Sequence, residues 1–232
     1  MIPSDVQRAL DNPFWSSLTT GHAHFALGGT LARRYPVEIS PIAGLSAPGP
    51  ANITALETIV GVGDDMATVA RSMPKLPAHW ETLYESRLTQ MIRNERAPLP
   101  EGDVDASTLG SPDVPEMLAL VELTKPGPFR LRTIELGTYI GSRLSGRLVA
   151  MAGERLWIDA FREVSAVCTH PDVQGRGYAR ALIARVVNGM LRAGQTPILH
   201  VESANKRAIE LYASLGFGRR SELSLLYARR VG

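Results

Sequence analysis

Val173-Gln174-Gly175-Arg176-Gly177-Tyr178-Ala179 joins two segments of opposite periodicity, and that junction decides the fold. Ahead of it, Glu163-Val164-Ser165-Ala166-Val167-Cys168-Thr169 is short, apolar and rich in β-branched residues, and the turn signal His170-Pro171-Asp172 ends it. Such a run reads as a buried strand. Behind it, Leu182, Ile183, Val186, Val187, Met190 and Leu191 recur at helical spacing until Gly194 supplies a C-terminal stop. A strand that feeds a glycine-containing loop into a helix N-terminus aims free backbone N–H groups and the positive end of the helix dipole at one point. Phosphate suits that point. Glycines at 175 and 177 let the backbone approach an anion closely.

The loop by itself also fits a plain helix cap with incidental glycines. It is neither a Gly-x-x-x-x-Gly-Lys-Ser/Thr loop nor a Gly-x-Gly-x-x-Gly turn. The downstream residues separate the two readings. They include Glu202-Ser203-Ala204-Asn205-Lys206-Arg207-Ala208-Ile209-Glu210-Leu211-Tyr212 and then Leu215-Gly216-Phe217. A Gln-x-x-Gly-x-Gly/Ala loop, then a strand, then Asn-x-x-Ala-x-x-x-Tyr and Gly-Phe, in this order, resembles the GNAT superfamily of acyl-CoA-dependent N-acyltransferases. Val167-Cys168-Thr169-His170-Pro171 further resembles the branch with glycine N-acyltransferase-like C-terminal domains. The resemblance covers about residues 105–232 and leaves the first part of the chain unexplained.

The resemblance implies an α/β (α+β) fold with a mixed central sheet flanked by helices. It implies that Gln174, Gly175, Arg176, Gly177, Tyr178 and Ala179 hold the CoA pyrophosphate. On the same resemblance, Asn205 is expected to contact the cofactor arm as well as cap its helix, and backbone groups of Val167, Cys168 and Thr169 are expected to pair with the pantetheine amides and polarise the thioester carbonyl. The implied co-substrate is acetyl-CoA, and the implied chemistry is direct transfer to an amine in a ternary complex.

Acyl transfer needs an unprotonated amine and a proton for the leaving sulfur. An aliphatic amine of pKa near 10.4 costs roughly 4 kcal/mol to deprotonate at neutral pH, an α-amine near 8 only about 1. Glu163 is the candidate base. It lies eleven positions before Gln174, the offset at which histone-acetylating members carry a catalytic glutamate. Partial desolvation there would raise its pKa and suit proton acceptance, while the competing reading is an ion pair with Arg155 or Arg162. Tyr212 is the candidate acid for the thiolate, against a role as a core residue on the face shared with Ala208, Leu211 and Leu215. Cys168 reads as a small apolar filler rather than a nucleophile. His170 and His200 read as structural, and no His/Cys/carboxylate group has metal-ligand spacing. Arg176 and Arg180 are candidates for the CoA phosphates.

The remaining sequence sets bounds. A chain of 232 residues with 44% hydrophobic content supports a real core, and a net charge of +2 with basic pairs not interleaved with aromatics gives no footprint for nucleic acid. The single cysteine excludes an internal disulfide. The N-terminus lacks a basic region followed by an apolar run, and nothing approaches membrane-spanning length, so a cytoplasmic location is expected.

Prolines and glycines accumulate at 97–112, which reads as a linker between an N-terminal mixed α/β region, 1–96, and an acyl-CoA-binding domain, 113–232. In the first region, 23–27, 31–35, 37–42 and 66–70 read as strands and 53–60 as a short helix. Residues 80–93 fit either period. This order is compatible with a degenerate copy of the second domain. In the second, the reading is a helix over 113–123, a turn at 130–136, and a hairpin of 138–143 with 147–156. Strand 161–169, helix 178–193, strand 197–202, helix 205–215 and two strands, 217–220 and 223–229, complete it. The expected activity is N-acetylation of a primary amine on a small molecule, amino acid or peptide. The alternatives are amino-acid acylation from a bulkier acyl-CoA and a non-catalytic CoA-binding module. The acceptor and the oligomeric state have no readable signature.

Overall fold

The fold rests on one eight-stranded sheet seen in a computed structural model that describes residues 8–232. The strands are β4 (Asp65–Ala70), β5 (Trp80–Ile92), β6 (Ser107–Thr108), β7 (Tyr139–Leu144), β8 (Arg147–Ile158), β9 (Phe161–Thr169), β10 (Thr196–Glu202) and β11 (Gly218–Arg230). Their spatial order is β4-β11-β5-β10-β9-β8-β7-β6. Every pair is antiparallel except β9 with β10, as a helical crossover between them requires. Three short strands, β1 (Leu27–Gly28), β2 (Ala32–Arg34) and β3 (Ala43–Leu45), form a separate antiparallel sheet.

Among the described residues, five α-helices accompany the large sheet: α1 (Pro13–Thr19), α2 (Pro50–Glu57), α3 (Val114–Thr124), α4 (Tyr178–Arg192) and α5 (Lys206–Ala213). Leu182, Ile183, Val186 and Val187 of α4 pack with Ala150, Ala152 and Leu199, so α4 and α5 share one face. Met151 falls between Ala150 and Ala152 and points to the other face, where Met117 and Leu120 of α3 receive it. That second face is completed by Leu10, Phe14, Leu18, Tyr35 and Ile39 of the first half, packed on Leu88, Phe161, Ile198 and Leu223.

The sheet does not divide where the composition does. β5 belongs to the first half yet lies between β10 and β11, pairing Ile198 with Ile92 on one side and Gly218 with Ile92 on the other. β4 then extends the sheet beyond β11. The stretch expected as a linker at 97–112 is strapped to α4 instead. Asn188 bonds the backbone of Leu99 in both directions, at 2.8 and 2.9 Å, and Arg185 donates to the Val104 carbonyl at 2.6 Å. Side chains thereby satisfy backbone groups that a proline-rich segment cannot pair in a ladder.

Three local expectations are corrected. Residues 37–42 form a turn closed by Ile39 and Ser40 N–H groups on the Pro36 carbonyl, not a strand. Residues 23–25 are one 3-10 turn. The two strands expected at 217–229 are a single β11 with register shifts. In the first half, Ser46-Ala47-Pro48-Gly49 leads from β3 into α2 with Gly49 at the N-cap, a loop without the Gln-x-x-Gly-x-Gly/Ala pattern of the second half. Among the described residues, no helix is long and apolar enough to cross a membrane.

His22, 2% exposed, locks the first half to β8. Its Nδ1 accepts from the Tyr35 hydroxyl at 2.9 Å, and Ser17 Oγ beside it accepts the Trp157 N–H at 3.2 Å. Burial, then the charges of Arg162 and His24, pull its pKa to about 3. The unfolded chain takes up a proton below pH 6.5 that the folded chain refuses. Stability is therefore full above 6.5 and falls as pH drops toward 3. From about pH 7 to about pH 5, we expect a loss of about 2 kcal/mol in urea unfolding at this one site. His22→Gln should flatten that interval, and an undiminished slope in the variant would assign it elsewhere.

Candidate active site

The site is built by two strands that part. β9 and β10 pair only at Thr196 with Phe161, Pro197 with Arg162 and Ile198 with Glu163. Beyond that point β9 runs on to Thr169 with no strand partner on its β10 side among the described residues. A groove of about 400 Å³ opens in the gap, lined by Val167, Cys168 and Thr169 on one wall and Asn205, Leu211 and Tyr212 on the other. Gln174, Gly175, Gly177, Tyr178 and Ala179 close its mouth.

Backbone geometry explains the loop sequence. Gly175 and Gly177 have φ of 79° and 85°, in the left-handed region that a β-carbon disfavours. Gly177 is the N-cap of α4 and brings no side chain to it, so the first N–H groups of the helix keep their capacity for a ligand. Across the groove, Asn205 Oδ1 accepts the Ala208 N–H at 3.1 Å and caps α5, which leaves its NH₂ group to the groove. Thr169 Oγ1 is buried there without a partner among the described residues.

A bulge lies at the closed end. Met151 pairs with Cys168 and Gly153 with Ser165, so β9 carries one residue more than β8 in this interval. Ala166 takes up the excess at φ 51°. Val167, Cys168 and Thr169 border the groove, with Val167 packed on the α4 face and the Cys168 side chain on the α3 face beside Met117 and Leu120, and Ser165 and Ala166 line a cavity of about 10 Å³ on the α3 side.

Tyr212 lines the groove, and its ring stands edge-on to Phe217 at 6.1 Å. Its hydroxyl takes no hydrogen-bond partner among the described residues. Burial, helped by the negative charge of Glu163, pushes its pKa up to about 12. Burial also pushes the Cys168 thiol up to about 11, which keeps it protonated and fits a packing role.

Glu163 differs from the sequence expectation. It does not line the groove and is 0% exposed. Arg155 donates to it twice, Nε to Oε2 at 2.8 Å and Nη2 to Oε1 at 2.7 Å, and His200 Nδ1 donates to Oε1 at 2.7 Å. Burial alone would raise its pKa as expected, but the Arg155 guanidinium and the His200 bond outweigh it and hold the carboxyl at about 2. Of the two partners considered, Arg155 takes Glu163, while Arg162 pairs with Glu154 at 3.0 Å. Arg176 lies outside the groove lining and donates to the Asp172 carbonyl at 3.3 Å; Arg180 lines the groove and donates to Ser214 at 2.6 Å.

A solved structure described as a GNAT-family acetyltransferase from Novosphingobium aromaticivorans is 34% identical, covering 95% of this chain and 98% of its own, with a TM-score of 0.85. The chain belongs to the GNAT family. Within this GNAT chain, the family model described as FR47-like protein matches residues 139–225. A mycothiol acetyltransferase from Kocuria rhizophila is 43% identical over 61 residues, 26% of this chain and 20% of its own length. An L-amino acid N-acyltransferase from Escherichia coli is 31% identical over 94 residues, 38% of this chain and 55% of its own length. The GNAT chain thus spans at most about half the length of these curated relatives. The match at 139–225 starts at β7 and ends inside β11, so β5, which the sheet needs, lies outside it.

Sequence reasoning did not single out Arg207, which lines the groove two positions after Asn205, nor Tyr139 at the smaller cavity, and it named Arg155 only as a partner for Glu163. The i+2 offset from a capping Asn was a usable signal for Arg207. Tyr139 and Arg155 meet only through strand pairing across the bulge.

Proposed function

We propose that the protein moves an acetyl group from acetyl-CoA to a primary amine by direct attack in a ternary complex. The divergence of β9 and β10 carries this reading, because it leaves one face of β9 free to pair with the pantetheine arm while the 174–179 loop meets the pyrophosphate. The relatives' names support acetyl as the group transferred.

The residues divide the work. Backbone groups at the bulge polarise the thioester carbonyl and accept the charge that develops on its oxygen. The amine nitrogen forms the new C–N bond as the C–S bond breaks. Tyr212, protonated across the physiological range, gives its proton to the leaving sulfur and regains one from the acylated nitrogen through solvent. Glu163 takes no proton, because a carboxylate held at about 2 is a poor base; its role is to position Arg155. The amine must then arrive neutral, which favours an acceptor amine of pKa near 8 by roughly 3 kcal/mol over one near 10.4.

Free-thiol release measured over a matrix of acyl-CoAs and amines tests the reading. Acetyl-CoA should turn over and longer acyl chains should fall behind; faster turnover with long chains would replace acetyl by a bulkier group. Tyr212→Phe should lower kcat about 100-fold with KM for acetyl-CoA nearly unchanged. CoA binding without thiol release for any amine would make the protein a binding module.

A further inference from the structure

The cavity on the α3 side of the bulge carries polar groups that the acyl-transfer reading does not use. Tyr139, 1% exposed, lines it, and its hydroxyl has no hydrogen-bond partner among the described residues. Arg155 lines it too. The guanidinium spends its Nε and Nη2 on Glu163, and Nη1, which points away from that edge, has no acceptor among the described residues. Ser165 adds a third donor at the bulge itself. Three donors without a partner among the described residues, one of them on the buried Tyr139 and two on the half-buried Arg155 and Ser165, converge on one space, and an anion is what such a set of donors receives.

We propose that this cavity seats the carboxylate of the acceptor, so that the substrates are free α-amino acids. The inference rests on the acyl-transfer reading and names its acceptor. Arg155 Nη1 and Tyr139 Oη donate to the carboxylate as charge-assisted bonds. The amine, one carbon away, then lies at Ala166, next to the Val167 to Thr169 stretch along which the thioester is held. The same contact deals with the proton. A neighbouring carboxylate stabilises an ammonium, and pairing that carboxylate with Arg155 withdraws the stabilisation, so the amine is released toward its neutral form.

At about 10 Å³ the cavity holds roughly one water, which marks the place of a carboxylate oxygen. The roof, Pro126, Gly127 and Pro128, is exposed, and a β-carbon on Gly127 would meet nothing within 4 Å. Solvent therefore borders the cavity through this segment. Phe129, edge-on to Tyr139 at 5.5 Å, closes its side.

The experiment compares leucine, leucinamide and isoamylamine as acceptors with acetyl-CoA. Leucine should exceed both in kcat/KM by about 30-fold, although the amide's amine is the less basic. Tyr139→Phe removes a hydroxyl that bonds nothing among the described residues, so the fold should be unaffected. It should raise KM for leucine about 10-fold with kcat held, and leave leucinamide unchanged. Equal use of leucinamide or isoamylamine, or an equal loss on all three in Tyr139→Phe, overturns the proposal. If no amine releases thiol, the acyl-transfer reading fails separately, and calorimetry on CoA-loaded protein still tests the subsite. Binding of N-acetylleucine but not N-acetylleucinamide, weakened in Tyr139→Phe, supports it, and binding of neither or both equally rejects it.

Discussion

Gly177→Asp is expected to abolish CoA binding, with affinity by calorimetry falling at least about 100-fold, while the thermal midpoint moves little. Two effects act together. The residue sits at φ 85°, where a β-carbon costs roughly 1 kcal/mol, less for Asp than for most residues. The larger effect is a fixed negative charge at the N-terminus of α4, where the helix dipole and free N–H groups otherwise receive phosphate. Crowding is not the cause, since an added β-carbon would meet nothing within 4 Å. Gly177→Ala separates the two, because it keeps the conformational cost and omits the charge; it should lose no more than about 10-fold. Unchanged affinity in the Asp variant would remove the loop from the CoA site.

Glu163→Gln is expected to act on stability first. The substitution leaves the Arg155 guanidinium buried opposite a neutral amide, and breaking a buried pair in this way costs about 3–5 kcal/mol. A second signature comes from the titration. The folded carboxyl lies below its ordinary 4.5, so its contribution is complete above about pH 4.5 and is lost as pH falls toward 2. Acid unfolding of the parent should steepen in that window, and the variant should lack the step. Activity should show no acidic limb belonging to Glu163. The limb should track the acceptor's amine and move when the acceptor is changed. A variant with a normal thermal midpoint, depressed turnover at about pH 7 and recovery at about pH 9 would restore Glu163 as the base.

The loop and its flanks were readable because their signals are local. Apolar spacing over 182–191, the stop at Gly194 and the glycines at 175 and 177 each depend on a few neighbouring residues, and α4 begins and ends within a residue or two of the reading. Residues 80–92 were ambiguous for a physical reason. Trp80, Leu83, Tyr84 and Leu88 fall at helical spacing by chance, and residues 81–85 are exposed on both faces, so no burial pattern imposes a period of two. Pairing with β11 decides the matter from more than a hundred positions away. The charge state of Glu163 was hidden in the same manner. Desolvation was foreseen, but its balance against Arg155 depends on a bidentate geometry that only the register of β8 and β9 creates. Asp113-Val114-Pro115 announced α3, whereas Asn12-Pro13, an equally clear signal, marks an α1 that the sequence reading missed.

The seat of β5 between β10 and β11 has a consequence for how the molecule is made. Trp80–Ile92 leaves the ribosome while more than half the protein's length still separates it from Gly218–Arg230. Until Thr196–Glu202 emerges both long edges of Trp80–Ile92 lack their neighbours, and the edge that receives Gly218–Arg230 stays open longer, with Leu83 and Tyr84 exposed beside unpaired backbone. Closure requires contacts of high sequence separation, so completion of the sheet waits for Gly218–Arg230, and the waiting strand is where a chaperone has most to protect.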